Sequence, residues 1–196
     1  MEALELVLAL AVGIALAACA GLRAFVPLLV SGILARTGHF PLQEHLEWLS
    51  STPALIALSV ATALETIADK VPALDHALDV AQTPVRTVAG AIVAAAALSK
   101  FPTWAAILLG IAAGGTTAFS VHATKATVRA GSTMTTGTIA NPFISFFEDI
   151  LSWAGAVLAP LFAVCALIIA AIALGLTFWL GRKVFRRLRA RPAPGT

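Results

Sequence analysis

Two acidic residues four positions apart, Glu65 and Asp69, stand at the end of an apolar run. On a helix they share one face, where two close carboxylates can bind a proton or a cation because each makes the other harder to ionise. The alternative is a hydrated helix end whose charges are neutralised by Lys70 and Arg86, which lie nearby in the sequence. The sequence alone leaves both interpretations open.

Three basic residues follow another apolar run, with His122, Lys125 and Arg129 at positions i, i+3 and i+7. This spacing places them in one stripe on a helix, where they could form a subsite for a phosphate or a carboxylate. The alternative is that the long side chains reach the membrane interface and pair with Glu148 or Asp149. The sequence alone leaves both interpretations open, and we call Glu148 and Asp149 the second acidic pair.

Arg23 is the deepest basic residue by sequence, because long uncharged runs, 6–22 and 24–35, flank it on both sides. An unpaired arginine is costly inside a bilayer. We therefore predict that Arg23 pairs with an acidic residue from the distant part of the chain, Glu148 or Asp149, and less readily with Glu65.

A polar stretch, GSTMTTGTIANP at 131–142, separates the basic stripe from the second acidic pair. Its glycine, serine and threonine residues predict a loop or an unwound segment. Asn141 is expected to cap the next helix, with Pro142 at the first helical position. The free amides at the positive end of that helix can bind an anion. Alternatively, they donate only to a loop carbonyl or to a water molecule.

The composition defines the surroundings of these charges. Of 196 residues, 59% are apolar and 12% are charged, and the mean hydropathy is +0.93. An average soluble domain has about 25% charged residues, so the sequence is that of an integral membrane protein and not of a disordered chain, a disulfide scaffold or a nucleic-acid-binding domain.

Cys19 and Cys165 lie in apolar runs, and we interpret them as small core residues. Gly90, Ala94 and Ala97 permit close contact between helices, within one chain or in a homo-oligomer.

Helices must position the charges, since about 20 apolar residues are needed to cross the hydrocarbon layer. We predict an all-α, polytopic membrane protein with about six transmembrane or broken helices. Helix breaks are expected at 21–27, at 114–119 and between 155 and 160. A short amphipathic helix at 41–50 is expected at the membrane interface, and 71–84 is predicted to be a polar connector.

The chain divides into a single transmembrane domain, 1–181, and a basic tail, 182–196, which holds six of the 13 basic residues. Such a tail indicates a cytoplasmic C-terminus in contact with anionic phospholipids, and it does not indicate a nucleic-acid partner. The halves 1–100 and 101–181 each contain an apolar helix, a glycine-containing break and an acidic pair. This pattern suggests an inverted repeat.

Three blocks carry a resemblance to a known family: GLRAFVPLL at 21–29, ETIADKVPALDHALD at 65–79 and GTIANPFISFFEDI at 137–150. Together they resemble the membrane family known as domain of unknown function 4126, which occurs in bacteria and plastids. The resemblance covers roughly residues 5–175. It implies a polytopic membrane protein, and it supplies no catalytic residues. We expect the protein to lie in a bacterial cytoplasmic membrane.

We expect a small membrane transporter or permease with a charged intramembrane site for a small anionic solute or a lipid headgroup, with proton or cation coupling as an option. The alternative is a non-catalytic scaffold or assembly factor whose buried charges are structural, and an intramembrane enzyme is the third hypothesis. No catalytic residue, metal ligand or cofactor is predicted. The residues predicted to bind the solute or ion are Arg23, Glu65, Asp69, Lys125, Arg129, Asn141, Glu148 and Asp149.

Overall fold

The computed structural model describes residues 2–69, 75–136 and 139–189, and no strand occurs in these ranges. Lys70, which was considered as a neutralising charge, and the end of the basic tail lie outside the described residues. The helices are α1 (Glu2–Leu22), α2 (Phe25–Arg36), a 3-10 helix (Glu44–Ser50), α3 (Thr52–Ala68), α4 (Asp75–Ala97), α5 (Thr103–Leu109), a π-helical turn (Gly110–Gly115), α6 (Thr116–Thr136), α7 (Asn141–Leu161) and α8 (Ala163–Arg189).

Three helical segments among the described residues are long and apolar enough to cross a membrane: Ala3–Leu22, Thr103–Met134 and Asn141–Leu161. The 3-10 helix and α3 form a fourth candidate that is bent by 67° between its two parts. Two further apolar helices, Phe25–Arg36 and Cys165–Leu176, are shorter. The all-α prediction is confirmed, and these lengths and compositions fit a polytopic membrane protein.

The bundle has two distinct ends. At one end, Lys100 in the α4–α5 connection pairs with Glu5 near the start of α1. Phe40 and Pro160 line a shallow depression beside this pair, so the chain after α2 and the end of α7 lie there too. Helix α1 leads from this end to Arg23, and we call the opposite end the Arg23 end.

Helices α1 and α8 run parallel. Ala15 of α1 clusters with Ala166 and Ala170 of α8, and further along both helices Ala18 clusters with Ala173. Helix α8 therefore leads toward the Arg23 end, and it continues into the basic tail as far as Arg189.

The predicted break at 21–27 is confirmed, since α1 ends at Leu22 and α2 begins at Phe25. The break predicted between 155 and 160 is wrong in position. Helix α7 continues through Pro160, and the chain leaves the helix at Phe162. Pro160 has no amide to donate to the carbonyl of Ala156, which weakens the last turn, and the helix ends one residue later at Leu161.

The break predicted at 114–119 is wrong, because the chain stays helical there through the π-helical turn Gly110–Gly115. Close packing against α4 accounts for two of the three glycines of this turn, Gly110 and Gly114. A Cβ atom added at Gly114 would lie 2.6 Å from the carbonyl oxygen of Gly90, and one added at Gly110 would lie 2.6 Å from that of Ala91. The small residues of α4 therefore serve contacts within one chain.

Two predicted connections are helical in part. Helix α4 begins at Asp75, inside the connector predicted at 71–84, and this extension places Gln82 and Thr83 where they bond to other side chains. Helix α6 likewise continues to Thr136, so the loop predicted to begin at 131 is wrong in its first part.

The short helix predicted at 41–50 is a 3-10 helix, Glu44–Ser50. Leu49 is fully buried and Trp48 is exposed, which agrees with the predicted two-faced character. The proposed repeat of the halves 1–100 and 101–181 stays a prediction.

Candidate functional site: a buried charged cluster

Eight charged side chains meet at the Arg23 end of the bundle. They come from the α1–α2 junction, the end of α3, and helices α4, α6 and α7. Four are basic and four are acidic, so their formal charges cancel. Asp149 is 15% exposed, and the others are at most 8% exposed. We call these residues the charged cluster: Arg23, Glu65, Asp69, Arg86, Lys125, Arg129, Glu148 and Asp149.

Asp69 is the hub of the charged cluster, although it lies one residue beyond the end of α3. Its Oδ2 is 2.6 Å from Nη1 of Arg23, 3.1 Å from Nζ of Lys125, 3.5 Å from Nη2 of Arg129 and 3.8 Å from Nη2 of Arg86. Burial disfavours a lone carboxylate, and the four cations around Oδ2 of Asp69 compensate for this cost. Asp69 is therefore held as a carboxylate.

Arg23 joins the two halves of the chain. Besides Asp69 from the first half, it contacts Asp149 of α7, with 2.7 Å between Nε and Oδ1. Its Nη2 donates to the hydroxyl of Ser145, one turn earlier on α7, at 2.9 Å. The predicted pairing of Arg23 with the second acidic pair is confirmed for Asp149, and Asp69 is an additional partner.

Glu148 binds the basic stripe of α6. Its Oε2 is 2.9 Å from Nη2 of Arg129 and 3.1 Å from Nζ of Lys125. His122 lies on the same stripe, buried, and its Nε2 is 3.0 Å from the hydroxyl oxygen of Thr83 in α4. The alternative interpretation is therefore confirmed in its pairing with Glu148, whereas the stripe is buried between helices and its side chains do not reach the surface of the bundle.

The charges also satisfy the backbone at the α1–α2 break. A carboxylate oxygen of Glu65 accepts from the amide of Ala24 at 2.9 Å, and the other accepts from the amide of Phe25 at 3.3 Å. At the preceding helix end, the carbonyl of Leu22 accepts from Lys125 at 3.2 Å and also from Arg86. An anion thus caps the start of α2 and cations cap the end of α1, as the helix dipole favours.

Arg86 is the member of the charged cluster that the sequence did not identify as a site residue. It is fully buried, and its Nη2 is 3.1 Å from Oε1 of Glu65. Arg86 therefore does neutralise an acid at the end of α3, as the alternative interpretation expected, but the expectation of a hydrated helix end is wrong because both side chains are buried. The spacing of Arg86 to Ala89, Gly90 and Val93 could have identified it as a buried residue. These positions share one helix face, and a face made of small and apolar residues is usually buried.

Asn141 does not cap α7. Ala140 precedes the first residue of this helix, and Asn141 and Pro142 are its first two residues. The buried amide of Asn141 donates to the hydroxyl of Thr133 at the end of α6, at 3.2 Å. Asn141 therefore ties α7 to α6, because its side chain reaches a neighbouring helix.

The residue types of the charged cluster suit two kinds of chemistry, proton exchange at a carboxylate and binding of an anionic group at an arginine. Each would require one ion pair of the cluster to loosen first. Within the residues that the structure describes, no group of three or more His, Cys, Asp or Glu side chains is arranged to hold a metal ion.

No curated protein and no solved structure matches the chain. A family model described as a domain of unknown function, DUF4126, matches residues 10–183. The match includes all eight residues of the charged cluster, and the protein belongs to the DUF4126 family.

Proposed function

We propose that the protein is a small membrane transporter or permease that binds a small anionic solute or a lipid headgroup at the charged cluster. The supporting observation is the position of Arg23 at a helix break, in contact with Asp69 of one half and Asp149 of the other. Ionisable residues at membrane depth are expensive and usually mark a path for an ion or solute. Broken helices in transporters supply such sites at the interface of two halves.

We place the entry of a proton and of the anion at Asp149, because it is the most exposed member of the charged cluster. Protonation of Asp149 would weaken its contact with Nε of Arg23. An anionic group could then replace Asp149 while Asp69 and Ser145 keep the guanidinium in place. A proton and an anion would in this way bind together, and their release would restore the ion pair.

The proposal includes an orientation in the membrane. If the basic tail is cytoplasmic, the parallel course of α1 and α8 places the N-terminus on the opposite side and the charged cluster toward the cytoplasm. The partners are the lipid bilayer, with anionic phospholipids at the basic tail, and the solute or ion. A bacterial cytoplasmic membrane and a homo-oligomer are compatible with this arrangement.

A second candidate function, a non-catalytic scaffold or assembly factor, has its own support. Each member of the charged cluster has an oppositely charged partner within 3.1 Å. Such pairing, with the capping of the α1–α2 break, would also serve a purely structural purpose.

Reconstitution into phosphatidylcholine vesicles tests the proposal with two probes, radiolabelled inorganic phosphate and fluorescently labelled phosphatidylglycerol. We expect the protein to move at least one of them faster than protein-free vesicles do, and an inward proton gradient to accelerate the movement. Asp149→Asn should keep the movement and lose the acceleration, because asparagine cannot carry the proton. Glu44→Gln, an exposed acid on the 3-10 helix, is the matched control and should behave like the unmodified protein.

Failure of both probes with folded protein would overturn the transport proposal and favour the scaffold. The scaffold also predicts a different result for Asp149→Asn, namely a loss of thermal stability with no change in any flux.

A further inference from the structure

Helix α3 is held at its two ends in different ways. At its start the chain bends by 67° after the 3-10 helix, and Leu49 of that helix is fully buried. The chain just before the 3-10 helix is tied to α4, because the amide of Gln43 donates to the carbonyl of Ala96 at 2.9 Å. At its end, α3 is joined to the other helices through the carboxylates of Glu65 and Asp69. Packing therefore holds the first end, and charge holds the second.

The face of α3 that is turned toward the bundle is polar. The buried side chains of this helix are those of Thr62 and Glu65, and Asp69 continues the same stripe at the i, i+3 and i+7 spacing. Within its fully described range, Thr52–Ala68, no apolar side chain is buried, whereas α1 buries Leu16 and Ala20. Helix α3 packs chiefly against α2 and the 3-10 helix. Ion pairs therefore take the place of core packing where α3 meets the other helices.

The two carboxylates of α3 occupy an anion site. They accept from the amides of Ala24 and Phe25 at the start of α2. They are also paired with four cations, namely Arg23, Arg86, Lys125 and Arg129. Displacement of the end of α3 would leave these cations with two acids of the charged cluster, Glu148 and Asp149, and thus with a surplus of two positive charges. A phosphate group carries about two negative charges at pH 7, and its oxygens accept from helix-start amides and from guanidinium groups.

The end of α3 lies near one surface of the membrane. Glu5 and Lys100 form a half-exposed ion pair, which belongs at the opposite surface because exposed charges are costly inside a bilayer. Arg23 follows Glu5 by 18 residues of helix, about 27 Å at 1.5 Å per residue, and the hydrocarbon layer is roughly 30 Å thick. Glu65 and Asp69 would therefore reach headgroups and water, and not the middle of the bilayer, when they leave the charged cluster.

We propose that α3 is a gate of the charged cluster, held closed by Glu65 and Asp69, and that a phosphate group replaces both carboxylates when the gate opens. The pivot is Ser51, where the backbone is extended. Helix α3 is about 25 Å long, so a rotation of about 15° moves its end by about 6 Å. The inference rests on the proposed function, because it names the moving element and the charge of the anion. Asp149 and Asp69 hold different nitrogen atoms of Arg23, so entry at Asp149 and opening of α3 are separate steps.

Distances between paired spin labels test the proposal on the full chain in phosphatidylcholine nanodiscs. The labels are attached at exposed positions after Cys19 and Cys165 are replaced by alanine. The pair Ile67 and Val128 reports the end of α3 against α6, and the pair Ile56 and Val128 reports its start. Inorganic phosphate should add a second population to the first pair, shifted by about 6 Å, and should shift the second pair by only about 2 Å, because Ile56 is close to the pivot.

Two ligand controls define the anion. Chloride at the same ionic strength should not produce the second population, because its single charge does not replace two carboxylates. Phosphatidic acid in the nanodisc, without dissolved phosphate, separates the two sources of the same group. Opening by dissolved phosphate assigns the free ion, and opening by phosphatidic acid alone assigns a lipid headgroup.

A pair of matched variants tests the role of charge in holding α3. Glu65→Gln removes one of the two acids that hold the gate and should raise the shifted population several-fold at a low phosphate concentration. Glu44→Gln removes an exposed acid from the 3-10 helix and should leave the population unchanged.

A single unchanged distance for Ile67 and Val128, with phosphate and with phosphatidic acid, would show that α3 is fixed and would overturn the proposal. An equal shift of both pairs would contradict a pivot at Ser51, and an equal effect of chloride would contradict a phosphate site. Phosphate transport by a protein whose α3 is fixed would leave the proposed function intact and remove this inference. Opening of α3 by phosphate without transport of any probe would support the gate and count against the transporter.

Discussion

Replacement of Asp69 by asparagine is expected to destabilise the protein more than any other single change in the charged cluster. Asp69 Oδ2 lies within 3.8 Å of four cations, and three of them lie within 3.5 Å. Without its charge, four buried cations would share three anions. Removal of one partner from a buried ion pair costs about 3–5 kcal/mol, because the remaining charge is left without compensation. The measurement is the temperature at which the protein in detergent ceases to be monodisperse by size-exclusion chromatography.

A second substitution tests the cause. Lys125→Met in the Asp69→Asn background restores three cations and three anions, while Arg129 still binds Glu148 at 2.9 Å. The double variant should therefore be more stable than Asp69→Asn alone. Glu44→Gln removes the same charge from an exposed position and should be close to neutral. If Asp69→Asn is as stable as this control, the charged cluster does not support the fold.

Gly114→Ala is expected to cause the second large loss of stability. The added Cβ atom would lie 2.6 Å from the carbonyl oxygen of Gly90 and would also collide with the side chain of Ala94. The blocking oxygen belongs to the backbone of α4 and cannot rotate away as a side chain could. The π-helical turn and α4 would therefore have to separate. Overpacking of this kind costs about 1–3 kcal/mol and sometimes more, which exceeds the up to ~1 kcal/mol that alanine gains over glycine in a helix.

Gly131→Ala is the matched control, because Gly131 lies in α6 and nothing stands within 4 Å of its added Cβ atom. The same chemical change should there be neutral or stabilising, by up to ~1 kcal/mol. Thermal inactivation of both variants, followed as the monodisperse fraction after heating, compares the two. Equal stabilities would show that the close approach of the π-helical turn to α4 is not required.

The charged cluster explains why a helix break is tolerated between α1 and α2. Glu65 accepts from the amides at the start of α2, and Arg86 and Lys125 donate to the carbonyl of Leu22 at the end of α1. In a bilayer, unsatisfied backbone groups cost several kcal/mol each. Capping and ion pairing therefore depend on the same three side chains, those of Glu65, Arg86 and Lys125.

Much of the fold was predictable because local chemistry determines it. The apolar runs indicated helices of membrane length, and the glycine, arginine and proline at 21–27 marked the break at Arg23. The expected break at 114–119 failed for a nonlocal reason. Glycines there allow the close approach of Gly114 to Gly90, and a composition rule cannot distinguish this role from that of a turn.

The candidate site was predictable in its membership and less so in its contacts. Spacing alone placed Lys125 and Arg129 on one helix face, and the cost of a buried charge required a partner for Arg23. Arg86 was underestimated, since its importance depends on how far α4 extends and on which helices α4 packs against.

The sequence by itself determined that this is a helical membrane protein of the DUF4126 family with a few charges among apolar helices, because hydropathy and helical period act along the chain. Only the tertiary structure decided that those charges form one balanced cluster with Asp69 at its hub. The reason is that helix packing depends on close contacts between small residues far apart in sequence, and these contacts fix which charged faces meet.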